Sequence, residues 1–119
     1  RRVLFRSLIK HYCKTFLELQ ELKTGKKDVE LRDSLQRRLN THFRDIFKLM
    51  GLFYPHDDIA KAYQNIERGT KESTAYAVEL LDNTLTKDLR DVLLPLIEDM
   101  SPQDRERRFQ HILKSIPRI

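Results

Sequence analysis

The stretch AYAVELLDNTL, Ala75 to Leu85, spaces its apolar residues as a helix does and then interrupts them with an acid and an amide. Successive residues of an α-helix advance by about 100°, so Ala75, Val78, Leu81, Asp82 and Leu85 fall within about one third of the circumference. The spacing predicts a helix whose sticky stripe includes a carboxylate. A carboxylate on a buried stripe is costly unless something donates to it. Donors lie just downstream, because a helix starting near Thr86 to Leu89 opens with backbone N–H groups that lack an intrahelical partner. Asp82 is therefore expected to be largely buried, to accept from those N–H groups, and to have Arg90 as a second partner. Asn83 or Thr84 is expected to end the first helix, Asn tolerating the left-handed conformation well. Asp82, Asn83 and Arg90 together read as a structural joint that fixes the angle between two helices.

The same helical period extends in both directions. Upstream, a first helix over about 2–23 carries Leu4 or Phe5, Leu8, Ile9, Tyr12, Phe16, Leu17 and Leu19, and stops at Gly25 in KTGKK. A second runs over about 28–53 on Leu31, Leu35, Leu39, Phe43, Ile46 and Met50, with Asp28 and Glu30 in its first turn and Pro55 as its stop. The third starts in PHDD, with Asp57 and Asp58 as helix-start anions and caps, buries Ile59, Ala62, Tyr63 and Ile66, and closes at Gly69. The fourth, entered through Thr70, is the opening stretch. A fifth over about 87–100 contains Pro95, where a kink is expected. The sixth opens with Ser101 as cap, Pro102 in the first position and Asp104 at the capping-box position, and runs through Phe109, Ile112 and Leu113 to Ile116, before Pro117.

No segment alternates with period two, and the 119 residues contain only three Gly and four Pro. The chain therefore reads as all-α, a single helical domain of about six helices over 1–119. Within it, 1–54 reads as a long basic hairpin and 55–119 as short helices. Helices of about 12–16 residues joined by links of a few residues pack as antiparallel hairpins, the unit of an α-α superhelix. Arg1 is not an initiator Met and no cleavable leader follows it, so the chain reads as a piece of a longer protein.

The formal net charge is +5, with 13 Lys/Arg against 6 Asp/Glu in residues 1–50 and 10 against 12 in residues 51–119. Lys10, Lys14, Lys26, Lys27, Arg37 and Arg38 could form one basic surface, and RERR at 105–108 adds a second cluster. Such a surface suits an acidic neighbouring domain, an anionic membrane surface or, as the alternative reading, a nucleic acid. Nucleic-acid binding asks for aromatics interleaved with the cations, and Phe5, Phe16, Phe43 and Phe47 fall on the apolar stripes instead.

Chemistry is sparse. His11, His42, His56 and His111 have no ligand-like spacing to one another or to Cys13, the only cysteine. Gly25, Gly51 and Gly69 are isolated, so there is no phosphate-cradling loop, and no Ser or Thr sits in a nucleophile context. Cys13 reads as an inert core thiol. No catalytic residue, metal ligand or cofactor is expected, and the default setting for a chain without a disulfide is the cytoplasm.

An Asp at the end of one helix followed by an Arg in the next resembles HEAT and armadillo repeats. GLFYPHDDIAKAYQNIERG followed by STAYAVELLDNTLTKDLRDVLLPLIED resembles, more closely, a HEAT-like region of bacterial proteins. In those proteins it follows a membrane domain similar to ATP/ADP antiporter-type transporters of the major facilitator class. The likeness covers about residues 49–100 and rests on Tyr54, Pro55, Asp58, Tyr63, Leu81, Asp82, Asn83, Arg90 and Pro95, among others. It implies a non-enzymatic interaction, scaffold or regulatory domain at the cytoplasmic face of a bacterial inner membrane. The implied partner is a protein, either its own membrane domain or another polypeptide. No transport residue falls within the chain.

Overall fold

The computed structural model describes residues 2–25 and 29–115, with side chains for 4–22 and 29–115. Among these the order is α1 (Arg2–Gly25), α2 (Val29–Phe53), α3 (His56–Arg68), α4 (Lys71–Thr84), α5 (Lys87–Ile97) and α6 (Pro102–Ser115), without a strand. The fold is all-α. Asp28, the end expected at Ile116 and Pro117, and Lys26 and Lys27 of the expected basic surface lie outside the described residues.

Two compact units make up the chain: Arg1–Ile46 with Glu106–Ile119, and Phe47–Arg105. The sequence reading separated 1–54 from 55–119; the units divide earlier, and the later part of α6 belongs with α1. In this first unit Leu19, Leu35 and Leu39 form a buried cluster against which Tyr12, Phe16 and Leu22 pack. The ring of Phe109 stands edge-on to Phe16 at 4.8 Å and to Tyr12 at 5.9 Å, and Tyr12 also meets Phe43 at 5.9 Å. These offset and edge geometries are the favourable ones for aromatic rings. Burial pushes the Cys13 thiol up to about 12, so it stays protonated and unreactive. Two stripe positions face outward: Leu4 yields its place to Phe5, and Leu31 is exposed.

In the second unit α3 packs on α4 and α4 on α5, in chain order. Helix α3 ends in the left-handed conformation at Gly69, with φ 76°, and the Gly69 N–H donates to the Ile66 carbonyl. Its start differs from expectation. Pro55 occupies the cap position and no side chain caps the helix, so Asp57 and Asp58 contribute only as anions in the positive first turn. Helix α4 opens with a reciprocal capping box in which Ser73 N–H donates to Thr70 Oγ1 at 3.0 Å and Thr70 N–H to Ser73 Oγ at 3.2 Å. Helix α6 opens as expected, Asp104 N–H donating to Ser101 Oγ at 3.1 Å.

Helix α5 is shorter than expected. It stops at Ile97 rather than near residue 100, with Pro95 in its last turn and Glu98 in extended backbone.

His42 on α2 stacks on His11 of α1, ring centroids 5.8 Å apart. Burial, then the charges of His11 and Arg38, lower its pKa from the ordinary 6.5 against the opposing pull of Asp45. The unfolded chain takes up this proton as pH falls through about 6.5, while the folded chain resists it until the lower value is reached. Urea midpoints should therefore fall between pH 7.5 and pH 5.5, and His42→Gln should flatten that fall; an unchanged slope in the variant would exclude His42 as its source.

Candidate functional site: a groove along the fourth helix

Helix α4 has two faces that compete for the interior, and the small-residue face wins. Ser73, Ala77 and Leu81 are buried, whereas Ala75 is exposed and Val78 half-buried. Ser73 and Ala77 each lie two positions from Ala75, about 160° round the helix. The inward stripe expected at Ala75, Val78 and Asp82 is thus turned outward. The physical reason is the contact with α3, where Ala62 is also fully buried. Small side chains on both helices suit close approach. Ser73 accepts burial because its hydroxyl is already satisfied, donating to the Thr70 carbonyl at 3.1 Å.

The outward face of α4 lines an open groove of about 850 Å³. From α4 come Lys71, Thr74, Ala75, Val78, Glu79 and Asp82, a run at successive helical spacings. Leu94 and Ile97 of α5, then Glu98, Asp99 and Arg105, line the rest, with Gly69 and Thr70 at the α4 start.

Asp82 is not buried. Its side chain is 53% exposed, and no backbone N–H of α5 donates to it among the described residues. The expected pairing with Arg90 is present, and Arg90 makes a second bond that the sequence does not suggest. Arg90 Nη1 donates to the backbone carbonyl of Asp82 at 3.0 Å, while Arg90 Nε lies 3.3 Å from the Asp82 carboxylate. An arginine thus reaches back to a carbonyl at the end of α4, one of the acceptors a helix C-terminus leaves open. The carboxylate orients that arginine. Asn83 lies on the exposed side within the last turn, Thr84 ends the helix as one of the two expected positions, and Leu85 follows as the cap, in extended rather than left-handed backbone.

Arg105 does the same for α5. Its Nη1 donates to the carbonyls of Pro95 at 2.9 Å and Leu96 at 3.0 Å, and its Nη2 to that of Glu98 at 2.7 Å. This clamp accounts for the early end of α5. The sequence reading placed Arg105 in a basic surface cluster; the signal to be had was a helix that ends without a Gly or a basic last turn, followed closely by an arginine.

Thr86, at the α5 start, uses its hydroxyl on Tyr54 Oη at 3.3 Å instead of capping.

Of the expected basic residues in the first unit, Lys14, Arg37 and Arg38 are exposed and Lys10 is half-buried. Arg38 acts on His42, which stacks on His11, so α1 and α2 bring that cation near the histidine pair. Tyr12, Phe16, Phe43 and Phe109 are packed on one another rather than interleaved with these cations. Among the described residues no group of three or more His, Cys, Asp or Glu could hold a metal ion, and no helix is long and apolar enough to cross a membrane.

The two arginine caps differ in weight. Arg105→Met removes three charge-assisted bonds to part-buried carbonyls and should cost about 2 kcal/mol or more. At roughly 3–5 °C per kcal/mol for this length, melting should fall by about 6–10 °C, whereas Arg108→Met should barely shift it. Asp82→Ala removes only an exposed ion pair and should cost about 0.2–1 kcal/mol. Arg90→Ala also loses the carbonyl bond and should cost more; equal urea midpoints for these last two variants would assign the joint to the ion pair alone. Comparison of the chain with protein-family models, curated proteins and solved structures finds no match.

Proposed function

We propose that the chain is a non-enzymatic helical interaction domain of the HEAT/armadillo kind, which holds a partner polypeptide along the groove of α4. The observation that carries this reading is the outward turn of Ala75 and Val78. Helix α4 packs on α3 and α5 on α4, and α4 still presents an apolar-containing face, open to solvent, along most of its length. Stacked short helices that leave one face free are how helical-repeat proteins build binding surfaces. The likeness of residues 49–100 to the region that follows antiporter-type membrane domains extends the reading. On it, the domain stands at the cytoplasmic face of a bacterial inner membrane, beside its own membrane domain or a second polypeptide.

Two measurements test the two levels. A photo-crosslinking residue at Val78 or Leu94, in cells, should give an adduct with another polypeptide that the same residue at Lys61, exposed on α3, does not give. Adducts without dependence on position would end the groove reading. For the transporter level, the reading frame upstream of Arg1 should encode ten or more apolar segments of about 20 residues. A start codon immediately upstream would remove that level and leave the interaction domain standing.

A further inference from the structure

The lining of the groove is chemically lopsided. Ala75, Val78 and Leu94 supply apolar surface, with the edge of the buried Ile97 beneath them, and Glu79, Asp82, Glu98 and Asp99 supply four carboxylates. Asp82 is engaged by Arg90. Glu79 and Asp99 are exposed, and with Glu98 their carboxylates have no cation partner among the described residues. Two cations line the groove, Lys71 and Arg105, and the Arg105 guanidinium is committed to three backbone carbonyls. The groove is therefore acidic although the chain carries a net charge of +5. Attraction of a cationic partner is local to this face, and the rest of the surface opposes it.

Resting on the interaction reading above, the geometry points to one occupant: a basic amphipathic helical segment of a partner protein. The face of α4 from Lys71 to Asp82 is about 16 Å long, or three helical turns. That length takes a segment of about ten to twelve residues, whose apolar anchors at i, i+3 or i+4, and i+7 lie on Ala75, Val78, Leu94 and Ile97. Lysines or arginines flanking those anchors meet Glu79, Glu98 and Asp99. An acidic or uncharged segment would bury the same apolar area without pairing those carboxylates.

The test uses the 119-residue chain and labelled peptides of about twelve residues, read by fluorescence anisotropy. The probes are a Leu/Lys peptide with Leu at helical spacing, the same composition scrambled, and versions with Glu or Gln in place of Lys. The patterned Leu/Lys peptide should bind with micromolar affinity that weakens as salt is raised. The double variant Glu79→Lys, Asp99→Lys should weaken it about tenfold, while Glu67→Lys, Asp91→Lys, the same charge change at exposed positions outside the groove, should alter it by less than about twofold. Val78→Glu should abolish it, and the circular dichroism melt of each variant shows whether the fold is kept. Equal binding of the scrambled peptide, or tighter binding of the Glu or Gln versions, would overturn the inference. So would self-association of the chain that Val78→Glu removes, since the occupant would then be a second copy. A position-specific crosslink at Val78 with no binding of the patterned peptide would overturn the partner chemistry and leave the interaction reading intact; loss of both would overturn the two together.

Discussion

A helix that stops without a glycine leaves carbonyls to be satisfied from elsewhere, and that constraint organises the second unit. Helix α3 solves it locally, with Gly69 in left-handed backbone. Helices α4 and α5 are followed by extended residues, Leu85 and Glu98, and neither has a basic residue in its last turn. Each is closed instead by an arginine reaching back from the following helix, Arg90 to the Asp82 carbonyl and Arg105 to three carbonyls. A cation at the negative end of a helix also meets the helix dipole favourably. One device thus ends a helix and ties it to its successor, which is what a chain of short helices needs in place of long hairpin contacts.

The groove follows from the same economy of small contacts. Because Ser73 and Ala77 take the interior side of α4, the bulkier Val78 and the acids Glu79 and Asp82 are left on the outside. Their companions across the groove, Glu98 and Asp99, belong to the short link that the Arg105 clamp holds in place. The acidic face is therefore built from a helix rotation and a capped helix end, both fixed before any partner is present.

Much of the architecture was legible in the sequence, because Gly, Pro and Ser act within a few residues of themselves. Gly69, the Ser101 and Pro102 start, and the six apolar periods could all be read locally. The rotation of α4 could not. Periodicity ranked Ala75 and Val78 above Ser73, since a hydropathy pattern has no way to register that a capping serine is already satisfied and can be buried. Asp82 misleads for the same reason: periodicity alone makes its stripe the inner one. The Asp82 and Arg90 pair is legible from spacing, but the bond of Arg90 to the Asp82 carbonyl is not, because both a helix start and a helix end lie within reach of that position. Arg105 was missed because a run of arginines looks like solvated charge, and only the geometry of α5 separates one of them from the rest.

The ring of Phe109 closes on Tyr12 and Phe16, nearly the whole length of the chain away in sequence. The caps and contacts of α3 to α5, by contrast, join residues close in sequence. On a ribosome the two units therefore mature at different times. The stretch from α3 through Arg105 can settle as soon as it has cleared the exit, while α1 and α2 must wait with part of their aromatic surface unmatched until the last helix is made. Contacts that span a chain form late and slowly. The N-terminal hairpin is thus the segment that a nascent-chain chaperone would meet uncovered, and a truncation just before Phe109 would strand it in that state.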